Sequence, residues 1–232
     1  RQMINRTPPK LPRKSDVRPG EESAYHFMLK RIDGAKQAKV GVIGGEPYAA
    51  NYFMALANTP VLAEGLARLG QAAMEVPGGE HTFSHADHEL IDAVIAFDSG
   101  FNWLMAGHAA LALQAGVRLE ALEAIREKRE EDLTEEERLQ VSFIRAVRDG
   151  SMNQEIWLAM WERLGSERGT IEYAFFVLLV QFNHLLAHAM GIPDITKPEM
   201  DELIGKLQRG DFSVSYKDYS KTFGDAAFDT GK

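Results

Sequence analysis

Residues 85–116 read HADHELIDAVIAFDSGFNWLMAGHAALALQAG, and their pattern decides the fold. Apolar residues recur at helical spacing through Leu90, Ile91, Val94 and Ile95 and again from Phe101 onward, with the turn tripeptide Asp98-Ser99-Gly100 between them. That is a helical hairpin. Glu89 stands in the apolar stripe of the first helix. His108 stands in the small-residue run Ala106-Gly107-His108-Ala109-Ala110 of the second, where a neighbour or ligand can approach the backbone closely. A carboxylate and an imidazole on adjoining antiparallel helices, each in apolar company, form a candidate acid/base pair.

Working outward, the same 3.6-residue rhythm fills the chain. Tyr25, Phe27, Met28 and Ile32 begin it, and a helix runs from about Pro47 to Leu56. Pro60 opens the next, with Val61, Leu62, Leu66 and Leu69 on one stripe, since proline is tolerated in a first turn. Pro77-Gly78-Gly79 reads as a loop, and Ser84 with Asp87 as a weakened capping box. Helices then run from Arg118 to about Glu130, from the capping box Thr134/Glu137 to Gly150, through Ile156 to Gly165, over 170–190, and from Lys197 to Gln208. No segment has the period-two alternation of a sheet. The expected fold is an all-α helical bundle of nine or ten helices, a single domain over 23–209. It lies between a proline-rich, basic N-terminal arm (1–22) and a C-terminal tail (210–232) without periodicity.

Composition excludes several function classes. A net charge of −8 argues against a whole-protein role on nucleic acid or anionic membrane. The absence of cysteine removes disulfides, thiolate metal sites and thiol redox chemistry together. No basic, then apolar, export signal opens the sequence as given, so a cytoplasmic location is expected. The run YAFFVLLVQFNHLLAHAM (173–190) approaches membrane-span length, but Gln181, Asn183, His184 and His188 would be costly in lipid. It reads as a buried central helix or an oligomer interface.

The hairpin, the lead-in Leu56-Ala57-Asn58-Thr59-Pro60-Val61-Leu62 and the run from Leu133 to Asp194 together resemble the carboxymuconolactone decarboxylase and alkylhydroperoxidase D-like superfamily, over about residues 47–195. Redox members of that family carry a glutamate, two cysteines separated by two residues, and a histidine four beyond the second cysteine. On this sequence the glutamate falls on Glu89, the cysteines on Phe101 and Leu104, and the histidine on His108. Neither Phe101 nor Leu104 can attack a peroxide, so thiol peroxidase activity is disfavoured. The resemblance implies a homo-oligomer, a trimer or hexamer, and a decarboxylase-like lyase needing no cofactor. Its substrate would be a small cyclic or aromatic-derived carboxylate or lactone.

On that reading Phe101, Leu104 and His108 share one helical face, Phe101, Trp103 and Leu104 exclude water, and His85 supports Glu89 from one turn away. Burial is expected to raise the pKa of Glu89 toward working pH. Each residue also has a plainer reading: Glu89 as a salt-bridged helix carboxylate, His108 as a hydrogen-bonded core histidine, His85 and His88 as a polar helix start. His85 can pair with Glu89 and His88 with Asp92, both four residues apart. Arg118 and Arg145 are the candidate substrate-anion anchors. His184 and His188, one turn apart, are an alternative metal pair, and Trp157 with Trp161 suggest an oligomer seam. A non-catalytic binding relative of the family is the alternative function.

Overall fold

The computed structural model describes residues 7–37, 42–43, 45–74 and 82–211. Expectations for the loop at 77–79 and for most of the C-terminal tail lie outside these residues. The described chain is all-α. Ten helices run Glu22–Gln37 (α1), Tyr48–Leu56 (α2), Pro60–Met74 (α3), His85–Ser99 (α4), Met105–Ala115 (α5), Leu119–Glu127 (α6), Glu135–Asp149 (α7), Gln154–Leu164 (α8), Glu167–Met190 (α9) and Lys197–Gln208 (α10). A two-residue antiparallel ladder, Val42–Ile43 (β1) with Glu46–Pro47 (β2), joins α1 to α2.

The helix boundaries follow from capping chemistry. Ser84 Oγ accepts from the Asp87 amide while the Asp87 carboxylate accepts from the Ser84 amide, so the short aspartate completes a full capping box. Thr134/Glu137 and Thr196/Glu199 repeat the device at α7 and α10. At the hairpin joint Gly100 adopts φ 70°, a left-handed cap that closes α4 and frees the chain to turn.

α4 is the centre of the bundle. Every residue from Asp87 to Phe97 is buried, and the helix packs against α5, α6, α7 and α9. A helix enclosed on all sides should be apolar all round. This one carries His88, Glu89 and Asp92 inside the core, which is costly unless each polar group is matched. Its two ends are pinned by arginines. Asp87 takes Arg163 of α8 at 2.5 Å. Asp98 takes Arg145 of α7 as a fork (2.7 and 3.0 Å) and Arg148 at 2.7 Å.

The described part of the N-terminal arm lies on the bundle. Tyr25 Oη donates to the Pro12 carbonyl (2.7 Å), Asn58 Nδ2 donates to that of Lys10 (2.9 Å), and Leu11 and Val17 pack on the core.

Candidate active site

Four polar residues of α4 recur at positions 85, 88, 89 and 92, a stripe on one helix face. His108 enters from α5 opposite them. Its Nδ1 stands 2.9 Å from Glu89 Oε2 and 3.1 Å from Asp92 Oδ2, so two carboxylates share one imidazole nitrogen. The intrahelical pairs form as their spacing requires: His85 Nε2 is 2.8 Å from Glu89 Oε1, and His88 Nε2 is 3.1 Å from Asp92 Oδ2. His85 and His88 are thus part of this cluster and not a solvated helix start; His88 is buried against the Phe176 ring, 4.4 Å between centroids.

Burial divides the labour. The Glu89 and Asp92 side chains are sealed at 0% and 3% exposure, while those of His108 and His85 retain 18% and 21%. The two imidazoles therefore form the reachable edge of the site, and the carboxylates lie behind them.

The electrostatics reverse one expectation. Burial does push the Glu89 carboxyl up, but the charge and hydrogen bond of His108, with His85 and His88, outweigh it and hold Glu89 below its ordinary value. Asp92 is lowered in the same way. Burial pushes His108 down, yet Asp92 and Glu89 together carry it well above the usual imidazole range. The resting pair is imidazolium and carboxylate, because a second buried anion beside His108 favours its charged form more than desolvation opposes it.

The apolar residues sit differently from the helical face expected of them. α5 begins only at Met105, so Phe101 precedes the helix, while Leu104 lies one turn ahead of His108, whose amide donates to its carbonyl (3.1 Å). Ser99 explains the late start. Its Oγ donates to the Ala96 carbonyl and accepts from the Phe101 amide (3.1 Å) and from His184 Nε2–H (2.7 Å), which holds the turn open. Phe101 consequently packs edge-on to His184 and His188, both at 5.1 Å between centroids, and not into a face with His108. The two α9 histidines flank an aromatic ring, and Ser99 occupies His184 Nε2. Trp103 is buried beside Tyr52 (5.0 Å), and its Nε1 makes no hydrogen bond.

The candidate anion anchors face elsewhere. Arg118 forks onto Glu137 (2.9 and 2.7 Å) at the surface, and Arg145 is committed to Asp98 and Glu130. Trp157 packs on Phe143 (6.0 Å) in the core and does not join Trp161, which is exposed.

From the sequence Asp92 reads only as a partner for His88. The signal for its fuller role was the polar stripe itself, since Asp92 lies three residues from Glu89. Tyr52 and Asp194 were missed. Tyr52 Oη donates to Asn183 Oδ1 (2.6 Å), and Asp194 Oδ1 accepts from the Asn102 amide (2.6 Å), steadying the turn that carries Trp103. Burial raises Asp194 to about 6. Neither residue carries a local motif that would have marked it.

A metal ion could be held here. His88, Glu89, Asp92 and His108 present one ligand atom each, all within 4.8 Å of one another. Comparison of the chain with protein-family models, with curated proteins and with solved structures finds no match.

Proposed function

We propose that this protein is a lyase of the decarboxylase-like kind, acting on a small cyclic or aromatic-derived carboxylate or lactone with His108 and Glu89 as its acid/base pair. The observation that carries the reading is the Glu89–His108–Asp92 triad, whose two carboxylates are sealed while His108, beside His85, lies at the reachable edge. The sequence resemblance to carboxymuconolactone decarboxylases supplies the reaction class.

The residues divide the work as follows. Loss of carbon dioxide breaks the bond between the carboxyl carbon and the ring and leaves its electron pair on the ring carbon as an enolate. That carbon must then gain a proton. His108 Nδ1 is hydrogen-bonded to Glu89 Oε2 and ion-paired with Asp92, so the proton for delivery is the one on Nε2, and the ring becomes neutral as it leaves. Glu89 and Asp92 keep the imidazolium formed beforehand and fix its orientation, as a buried carboxylate does for a catalytic histidine.

The test is carbon dioxide release from a panel of small carboxylated lactones. Wild-type protein turns over at least one, and Glu89→Gln and His108→Asn each lower kcat by about 10²–10⁴-fold. Near-wild-type turnover by Glu89→Gln would remove that residue from the mechanism.

One observation favours a second reading, a divalent-cation centre on His88, Glu89, Asp92 and His108. Asp92 Oδ2 sits 3.1 Å from both His88 Nε2 and His108 Nδ1 yet makes no aligned hydrogen bond, and Glu89 Oε2 lies 2.9 Å from the same His108 nitrogen. An octahedron with bonds of ~2.1 Å has edges of about 3.0 Å, so these separations also suit ligands converging on one ion. Metal analysis of untagged protein decides: one equivalent, lost in Asp92→Asn, supports the cation, and less than a tenth of an equivalent ends it.

A further inference from the structure

α9 is apolar on two opposite faces. Tyr173, Phe176, Val177, Val180, His184 and Ala187 are buried in the bundle. On the other side, Ile171, Phe175, Leu178, Phe182 and Leu185 are between 45% and 54% exposed. These five are spaced four, three, four, three, which is the heptad repeat of a helix that packs against another helix.

We propose that this outer face is the seam on which a second copy of the same chain docks, α9 against α9. The heptad spacing specifies a helical occupant, and a stripe able to supply both knobs and holes is complementary to itself, as an isologous contact requires. Half-exposed Phe, Leu and Ile side chains each leave on the order of 100 Å² in water, so the five present on the order of 500 Å². Leu158 and Trp161 on α8, which packs alongside α9, are also about half exposed and bring the apolar area toward the ~800 Å² per partner of a stable dimer.

Charge permits the contact. Two copies of a chain at net −8 repel, yet the positions flanking the seam are Glu172, Ala174, Leu179, Gln181, Leu186 and His188. The single carboxylate among them is already neutralised by Arg168 at 2.7 Å. Lipid is the poorer occupant, although α9 is the one described helix long and apolar enough to cross a bilayer. Its inner face is tied into the bundle by the Tyr52–Asn183 and Ser99–His184 hydrogen bonds and by packing on α3, α4, α7 and α8. A helix so enclosed on one side cannot be surrounded by acyl chains.

Sedimentation velocity of the full chain at 10–100 µM tests the seam, since ~10–100 µM spans the range in which an interface of this size associates. The wild type is expected to sediment as a dimer or a multiple of it, and Phe182→Glu, altered at an exposed position, as a folded monomer with unchanged helical circular dichroism. Because the chain lacks cysteine, Leu178→Cys provides a second readout that does not depend on the charge variant folding: oxidation links it into a covalent dimer, while Glu120→Cys on α6 stays monomeric. A monomeric wild type, a Phe182→Glu protein that keeps its oligomeric state, a Leu178→Cys protein that fails to cross-link, or wild type that floats with phosphatidylcholine vesicles would each overturn the proposal.

Discussion

His108 is a residue whose charge is set by what faces it. The ring is flanked by Glu89 and Asp92 on α4, with His88 6.0 Å away between centroids. Its raised pKa, and the lowered values of both carboxylates, make folding stability depend on pH in a defined sense. A histidine raised above its ordinary 6.5 contributes stability that is complete below 6.5 and is lost as pH climbs through the folded value. Carboxylates lowered from 4.5 and 3.8 contribute stability that is complete above those values and is lost as pH falls through the folded ones. The cluster therefore stabilises the fold most between about pH 4.5 and 6.5. Thermal melts of wild type and His108→Gln from about pH 2 to about pH 9 check this. The wild type's advantage should shrink toward both extremes, and a difference independent of pH would show that the three groups are not ionised together.

At the scale of the element, α4 is held less by its own propensity than by its ends. Asp98 is one-tenth exposed and receives three short contacts from Arg145 and Arg148, so it clamps α7 to the last turn of the site helix. Removing one partner of such a network leaves two part-buried guanidiniums without their anion. Asp98→Ala is expected to cost about 2–4 kcal/mol, toward the lower end for a buried pair because the arginines keep some solvent. For a chain of this length that is a fall of roughly 5–15 °C in Tm by calorimetry. A change within ~1 °C would mean the clamp is decorative, as many surface ion pairs are.

Over the whole molecule, most of the helices were legible because their signals are local. Glycine caps at 100, 116, 150, 165 and 191, capping boxes at 84 and 134, and Pro60 at a first turn all act within one or two turns of chain. Glu89 and His108 were legible as a pair for a related reason. They lie on consecutive helices joined by a short turn, and antiparallel neighbours of that kind must meet. Phe101 was misplaced because its position depends on Ser99 bonding to His184, 85 residues away in sequence. Arg118 and Arg145 looked available as anchors because their carboxylate partners lie on other elements. The ionisation of Glu89 was misjudged since a single helix shows burial but not the imidazole brought against it.

The sequence by itself determined an all-α chain, its helix ends, the absence of thiol chemistry and the meeting of one carboxylate with one histidine. Tertiary structure alone decided that Asp92 joins them, that His108 holds the charge, and that one face of α9 closes the core while the other lies open. Caps and periodicity are read over a few residues of backbone, whereas charge state and exposure depend on every element that packs around a group.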